Sequence, residues 1–124
     1  MKTVLVVEDN DDLRELFVEA LDREGYSAIG AENGAKALDI LKEMQHEPCL
    51  VLLDMMMPVM DGATFVRTLH ESHRLAALPI VLVSAESIKP GEVGGVRGVV
   101  KKPVEMSVLR ALVRDFCGNP KPVQ

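Results

Sequence analysis

Apolar residues along this chain follow two alternating rhythms. Short unbroken aliphatic runs, Val4-Leu5-Val6-Val7, Cys49-Leu50-Val51-Leu52-Leu53 and Ile80-Val81-Leu82-Val83, have the length and branching of strands buried on both faces of a parallel sheet. Between them, apolar residues recur at helical spacing. Leu13, Leu16, Phe17, Ala20 and Leu21 form one such set, Ala37, Leu38, Leu41 and Met44 a second, Phe65, Val66 and Leu69 a third, and Val108, Leu109, Leu112, Val113 and Phe116 a last one. Cap-type residues precede the first three sets: Asn10-Asp11-Asp12, Asn33-Gly34 and Asp61-Gly62. Gly25 and Gly118 stop the first and last.

The elements predicted from this pattern are a strand at Thr3–Val7, a helix from Asn10 to Gly25, a weak strand at Ser27–Ala31, and a helix ending before Pro48. A strand at Cys49–Leu53 follows, then the loop Asp54–Pro58 and the Asp61-capped helix. Strands at Ile80–Val83 and Val96–Lys101, a helix at Glu105–Phe116 and the tail Asn119–Gln124 complete the chain. Strand and helix in strict alternation predict an α/β fold with a parallel sheet and right-handed crossovers. One crossover breaks the rhythm. Ala85 to Gly95 contains Pro90, Gly91, Gly94 and Gly95, which are poor helix formers in a segment of minimal length for a parallel connection. Its helix is expected to be short or absent.

Composition narrows the classes. A chain of 124 residues is long enough for one domain with an ordinary core. No apolar stretch is long enough to span a bilayer, and Met1-Lys2-Thr3 enters the first strand with no cleavage-site pattern, so a cytoplasmic protein away from membranes is expected. The net charge of −5 and the 3% aromatic content disfavour direct nucleic-acid binding. Cys49 and Cys117 show no metal-ligand spacing and are expected to be reduced, core-side thiols. His46, His70 and His73 fall at helix ends or on polar faces, where surface positions are expected.

The candidate chemistry lies where the strands end. Glu8-Asp9, Asp54, Ser84 and Lys102 follow the apolar runs, and parallel sheets bind ligands beyond the carboxyl ends of their strands. Carboxylates about 4 Å apart repel by roughly 4 kcal/mol per pair at an effective dielectric near 20. A divalent cation among them, or a raised pKa, relieves this. Hard oxygen donors favour Mg2+. A cation, the Lys102 ammonium and the Ser84 hydroxyl would together suit a phosphoryl group, and Asp54, ending the most apolar strand, is the best placed nucleophile.

In these motifs the chain resembles the receiver domain of two-component response regulators, of the chemotaxis-regulator type. The resemblance rests on Val-Val-Glu8-Asp9-Asn10, on Asp54-Met-Met-Met-Pro58 with Met60-Asp61-Gly62, on Val83-Ser84-Ala85 and on Lys102-Pro103. It implies a flavodoxin-like doubly wound sheet of five parallel strands, order 2-1-3-4-5, in a domain over 1–118 followed by a tail over 119–124. It implies that Asp54 accepts a phosphoryl group from a histidine kinase or phosphotransfer protein. Mg2+ would be held by Asp9, Asp54 and the Met56 backbone carbonyl, with Glu8 acting through water. Lys102 would pair with Asp54, then with the phosphoryl oxygens, and Ser84 would bind the phosphorylated form as the switch. Met56 and Glu86 would modulate loss of the group. An unknown downstream protein would read the result. Such a protein catalyses only its own phosphorylation and dephosphorylation. The Lys102–Pro103 bond would be cis.

Two departures stand out. Val99 occupies the position where the family often has an aromatic ring, and the stretch from Ser84 to Lys102 is shorter than usual. Intact phosphorylation chemistry with a remodelled signalling face is the expectation. A degenerate receiver, docking partners without phosphate, is the rival. A flavoprotein would want a glycine-rich phosphate loop where this chain has Glu-Asp-Asn-Asp-Asp. A haloacid-type phosphatase would want an Asp where Met56 stands.

Overall fold

The structure, a computed structural model, describes residues 2–57, 60–89 and 93–120. Pro58 of the Asp54–Pro58 loop, Pro90 and Gly91 of the crossover, and the tail beyond Pro120 lie outside the described residues. Elements alternate along the chain as β1 (Thr3–Val7), α1 (Asp11–Arg23), β2 (Ser27–Ala31), α2 (Gly34–Glu43), β3 (Leu50–Asp54), α3 (Gly62–His70), β4 (Ile80–Ser84), β5 (Gly98–Lys101) and α4 (Met106–Cys117). All strand pairs are parallel and the sheet order is β2-β1-β3-β4-β5, as expected.

Successive side chains of a strand face opposite sides of the sheet, and the core divides accordingly. Leu5, Val7, Val51, Leu53, Ile80 and Leu82 pack on the side of α2 and α3, against Ala37, Leu41, Phe65 and Leu69. Val4, Val6, Leu50, Leu52 and Val81 pack on the other side, against Phe17 and Leu21 of α1 and Leu109 and Val113 of α4. Strands covered on both faces must be apolar at every position, which is why the runs are unbroken.

Each of the three expected caps forms. Asn10, Asn33 and Asp61 accept hydrogen bonds from the backbone N–H groups of Leu13, Lys36 and Thr64 at 2.9, 2.9 and 2.8 Å. Gly25 and Gly118 take positive φ values of 97° and 74°, the conformation that suits glycine after a helix. Two apolar positions expected to face inward do not. Leu16 is 50% exposed and Val108 44%, because each helix rests on the sheet along a narrower stripe than the spacing alone implies.

The crossover between β4 and β5 contains no helix among its described residues. β5 is shorter than expected, beginning at Gly98 rather than Val96. Its burial alternates: Val100 packs into the core with α1 and α4, while Val99 is 39% exposed. The outer face of the edge strand thus has no full cover.

The cysteines overturn the expectation of free thiols. Cys49 and Cys117 form a disulfide with Cα atoms 5.3 Å apart across 68 residues of chain. Cys49 immediately precedes β3 and Cys117 ends α4, which runs back over the sheet towards the edge where β3 begins. Neither spacing nor local composition encodes that meeting; only the topology does.

Candidate functional site

Strand register gathers the polar residues at one edge. Val7 lies beside Leu53, Asp54 beside Val83, and Ser84 beside Lys101. Backbone hydrogen bonding continues one step past the strands, from Glu8 N to Ala31 O at 3.0 Å and from Lys102 N to Ser84 O at 2.8 Å. Glu8 and Lys102 are therefore held in sheet geometry although they sit in loops. The Lys102–Pro103 bond is cis, as expected.

Carboxylate oxygens of Glu8, Asp9 and Asp54 lie within 4.8 Å of one another. Glu8, Asp54 and Ser84 are the buried polar side chains of the described residues, at 2%, 5% and 2% exposure, while Asp9 faces solvent. Lys102 Nζ reaches 2.9 Å from Glu8 Oε1 and 3.5 Å from Asp54 Oδ1. Its nearer partner is Glu8, where the resemblance implied Asp54. The second Glu8 oxygen accepts from Asn10 N at 3.1 Å, and Asp54 Oδ1 accepts from Met56 N at 3.2 Å. Ser84 Oγ accepts from Glu86 N at 3.1 Å; the Glu86 side chain is exposed.

The charges are unevenly borne. Burial raises the Asp54 carboxyl, the side chains and charge of Glu8 and Asp9 raise it further, and Lys102 offsets only part, leaving it pushed up to about 7. Asp9 moves the other way: desolvation is the largest single influence and raises it, but hydrogen bonds with Glu8 and Asp54, its backbone contact and the Lys102 charge together prevail and lower it. Burial acts to lower Lys102, and the adjoining carboxylates overcome it and hold the ammonium above its ordinary value. A pocket with three oxygen acids and one ammonium, in which Asp54 keeps its proton to near neutrality, has a donor set suited to a hard divalent cation. The residues fit Mg2+.

One contributor was missed in the sequence. Arg14, on the second turn of α1, donates from Nη1 to the Glu8 carbonyl at 2.8 Å and pairs with Asp11 at 2.5 Å. It braces the backbone that carries both Glu8 and Asp9. An arginine six residues after Glu8 carries no such signal until the start of α1 is seen to turn its guanidinium back to the Glu8 carbonyl. A cavity of about 450 Å³ lies elsewhere; Ile88, Val93, Val96 and Val99 line it, beside the β4–β5 crossover.

A family model for the response regulator receiver domain matches residues 4–114. The chain belongs to this family. The receiver is 30% identical over 122 residues to the polar-differentiation response regulator DivK of Brucella anthropi, spanning 95% of this chain and 98% of that one. Its fold matches chemotaxis protein CheY4 of Vibrio cholerae with a TM-score of 0.84 at 26% identity, covering 94% of this chain and 98% of that one. It also matches response regulator protein TrrA of Thermotoga maritima, solved in complex with Mg(2+)-BeF, with a TM-score of 0.79 at 30% identity over 94% and 99% of the two chains. No helix among the described residues is long and apolar enough to cross a membrane.

Proposed function

We propose that this receiver, a cytoplasmic protein spanning 1–118 with a tail over 119–124, takes a phosphoryl group onto Asp54 from the phosphohistidine of a histidine kinase or phosphotransfer protein. The observation that carries this reading is the convergence of Glu8, Asp9, Asp54 and Lys102 at one sheet edge, with Asp54 enclosed at the end of the central strand. In the transfer, an Asp54 oxygen forms the new bond to phosphorus as the bond to the donor imidazole breaks. The leaving nitrogen keeps the electron pair and takes up a proton.

The residues that would hold Mg2+ are Asp9, Asp54 and the Met56 backbone carbonyl, with Glu8 acting through water. Bound there, the ion would neutralise charge on the phosphoryl oxygens. Lys102 sits between Glu8 and Asp54 and can turn its ammonium towards the transferred group without leaving Glu8. Ser84 uses its oxygen as an acceptor for Glu86 N, a bond that does not consume its own proton, so the hydroxyl can donate to a phosphoryl oxygen. Loss of that backbone partner would let the Ser84 loop move, and this is the proposed switch. Met56 and Glu86 are exposed beside Asp54 and Ser84, where they can tune the access of water to the group. The protein acts on itself, turns over no other substrate, and passes its state to a downstream protein.

The degenerate docking module draws support from the uncovered Val99 side of β5. One experiment separates the two. Wild type and Asp54→Ala are incubated with a small phosphodonor, with and without Mg2+, and weighed by mass spectrometry. A single phosphoryl increment on wild type alone, requiring Mg2+, is expected. An unmodified wild type would leave docking as the function.

A further inference from the structure

We propose that Cys49 and Cys117 are a reversible modification site, a dithiol that exchanges with disulfides of the glutathione class and clasps the last helix to the sheet. The two Cα atoms stand 5.3 Å apart, within the span a disulfide bridges. Cys117 is buried, whereas Cys49 is only half-buried and offers the point of entry. The bond is added to a docking that other contacts already secure. Leu109 and Val113 of α4 are buried against the sheet, Tyr26 Oη donates to the Gly118 carbonyl at 2.7 Å, and Lys2 Nζ donates to the Asn119 carbonyl at 2.7 Å. The fold therefore stands in both redox states, and within the folded state the clasp governs how firmly the end of α4 is held. The placement gives that firmness reach: Cys49 precedes the strand that ends in Asp54, and Cys117 closes the helix that follows Lys102.

Oxidation proceeds in two balanced steps. The Cys49 thiolate attacks one sulfur of glutathione disulfide, forming a mixed disulfide as the glutathione S–S bond breaks. The departing glutathione thiolate keeps the electron pair and takes up a proton. The Cys117 thiolate then attacks the Cys49 sulfur and expels a second glutathione in the same way. The protein dithiol loses two electrons and two protons, and one glutathione disulfide becomes two glutathione molecules. Excess glutathione reverses both steps.

The test uses the full chain in glutathione buffers of graded oxidised-to-reduced ratio, quenched by thiol alkylation and weighed. The expected result is a titration between a doubly alkylated species and an unalkylated monomer two hydrogens lighter than the unalkylated dithiol chain. Hydrogen exchange of the amides at Arg114–Gly118 should slow about tenfold in the oxidised form, as a local opening is suppressed. Cys49→Ser and Cys117→Ser should each fold with the circular dichroism of reduced wild type and show no redox dependence of that exchange. Four results would overturn the proposal: two thiols that alkylate in every buffer, a bond that survives excess glutathione, a crosslink that joins two chains, or serine variants that do not fold.

Discussion

Asp54 bears most of the strain of the acidic pocket. Enclosure and its two acidic neighbours push its carboxyl up to about 7, while an unfolded aspartate titrates near 3.9. Between about pH 4 and pH 7 the folded chain holds a proton that the unfolded chain has lost, so this group favours folding in acid and withdraws that support as pH rises. Thermal melts in EDTA should show this decline for wild type, and it should vanish in Asp54→Asn; parallel profiles for the two proteins would refute it. If Mg2+ binds where proposed it competes with that proton, and its protection against unfolding should grow over the same interval. Lys102 has the opposite duty. Replacing it by Met leaves Glu8 enclosed without its ammonium 2.9 Å away. Unfolding in urea at pH 8 should show a loss of about 1–2 kcal/mol, below the figure for a fully buried pair because Lys102 keeps some contact with water.

Three of the helices are started by single side chains and two are stopped by glycine, and the strands need nothing beyond aliphatic runs. Asn33 accepts from Lys36 N at 2.9 Å, so Asn33→Ala should cost about 1 kcal/mol in chemical denaturation, the ordinary worth of such a cap. Gly62 has a different task. It donates its N–H to the Met55 carbonyl at 3.0 Å, and a Cβ placed there would stand 3.1 Å from the Met55 Cα and 3.3 Å from the Asp54 carbonyl oxygen. Gly62→Ala should therefore press α3 away from the Asp54 loop, lowering stability by about 1–3 kcal/mol and shifting the backbone resonances of Asp54 and Met55. At the other edge, the crossover before β5 contains no helix among its described residues, and Val99 is exposed on the strand face. An aromatic ring turning inward at this position, the family's frequent device, is not available to the chain.

For the whole molecule, the disulfide is a covalent constraint between distant parts of the chain. Closing a loop of 68 residues restricts the unfolded chain by about 4 kcal/mol in the chain-entropy model. Denaturant titrations with and without a dithiol reductant should differ by about that much in wild type and not at all in Cys117→Ser. The sheet supplies the second constraint of this scale. Parallel strands in register place every carboxyl end on one edge, so residues as distant in sequence as Glu8 and Lys102 meet at 2.9 Å.

The element order, the three caps, the poor helix-forming character of the crossover before β5 and the identity of the acidic residues were all legible along the chain, because periodicity and capping are local properties. The strand order came from the family resemblance that the motifs at the strand ends carry, not from the pattern itself. Pairing was not legible. That Lys102 leans on Glu8 more closely than on Asp54, that Arg14 braces the Glu8 carbonyl, that Leu16 and Val108 stay in water, and that Cys49 meets Cys117 all depend on how helices lie on the sheet. Local sequence sets which residues can form a strand or a helix; the distances between side chains carried on different elements arise only when those elements pack.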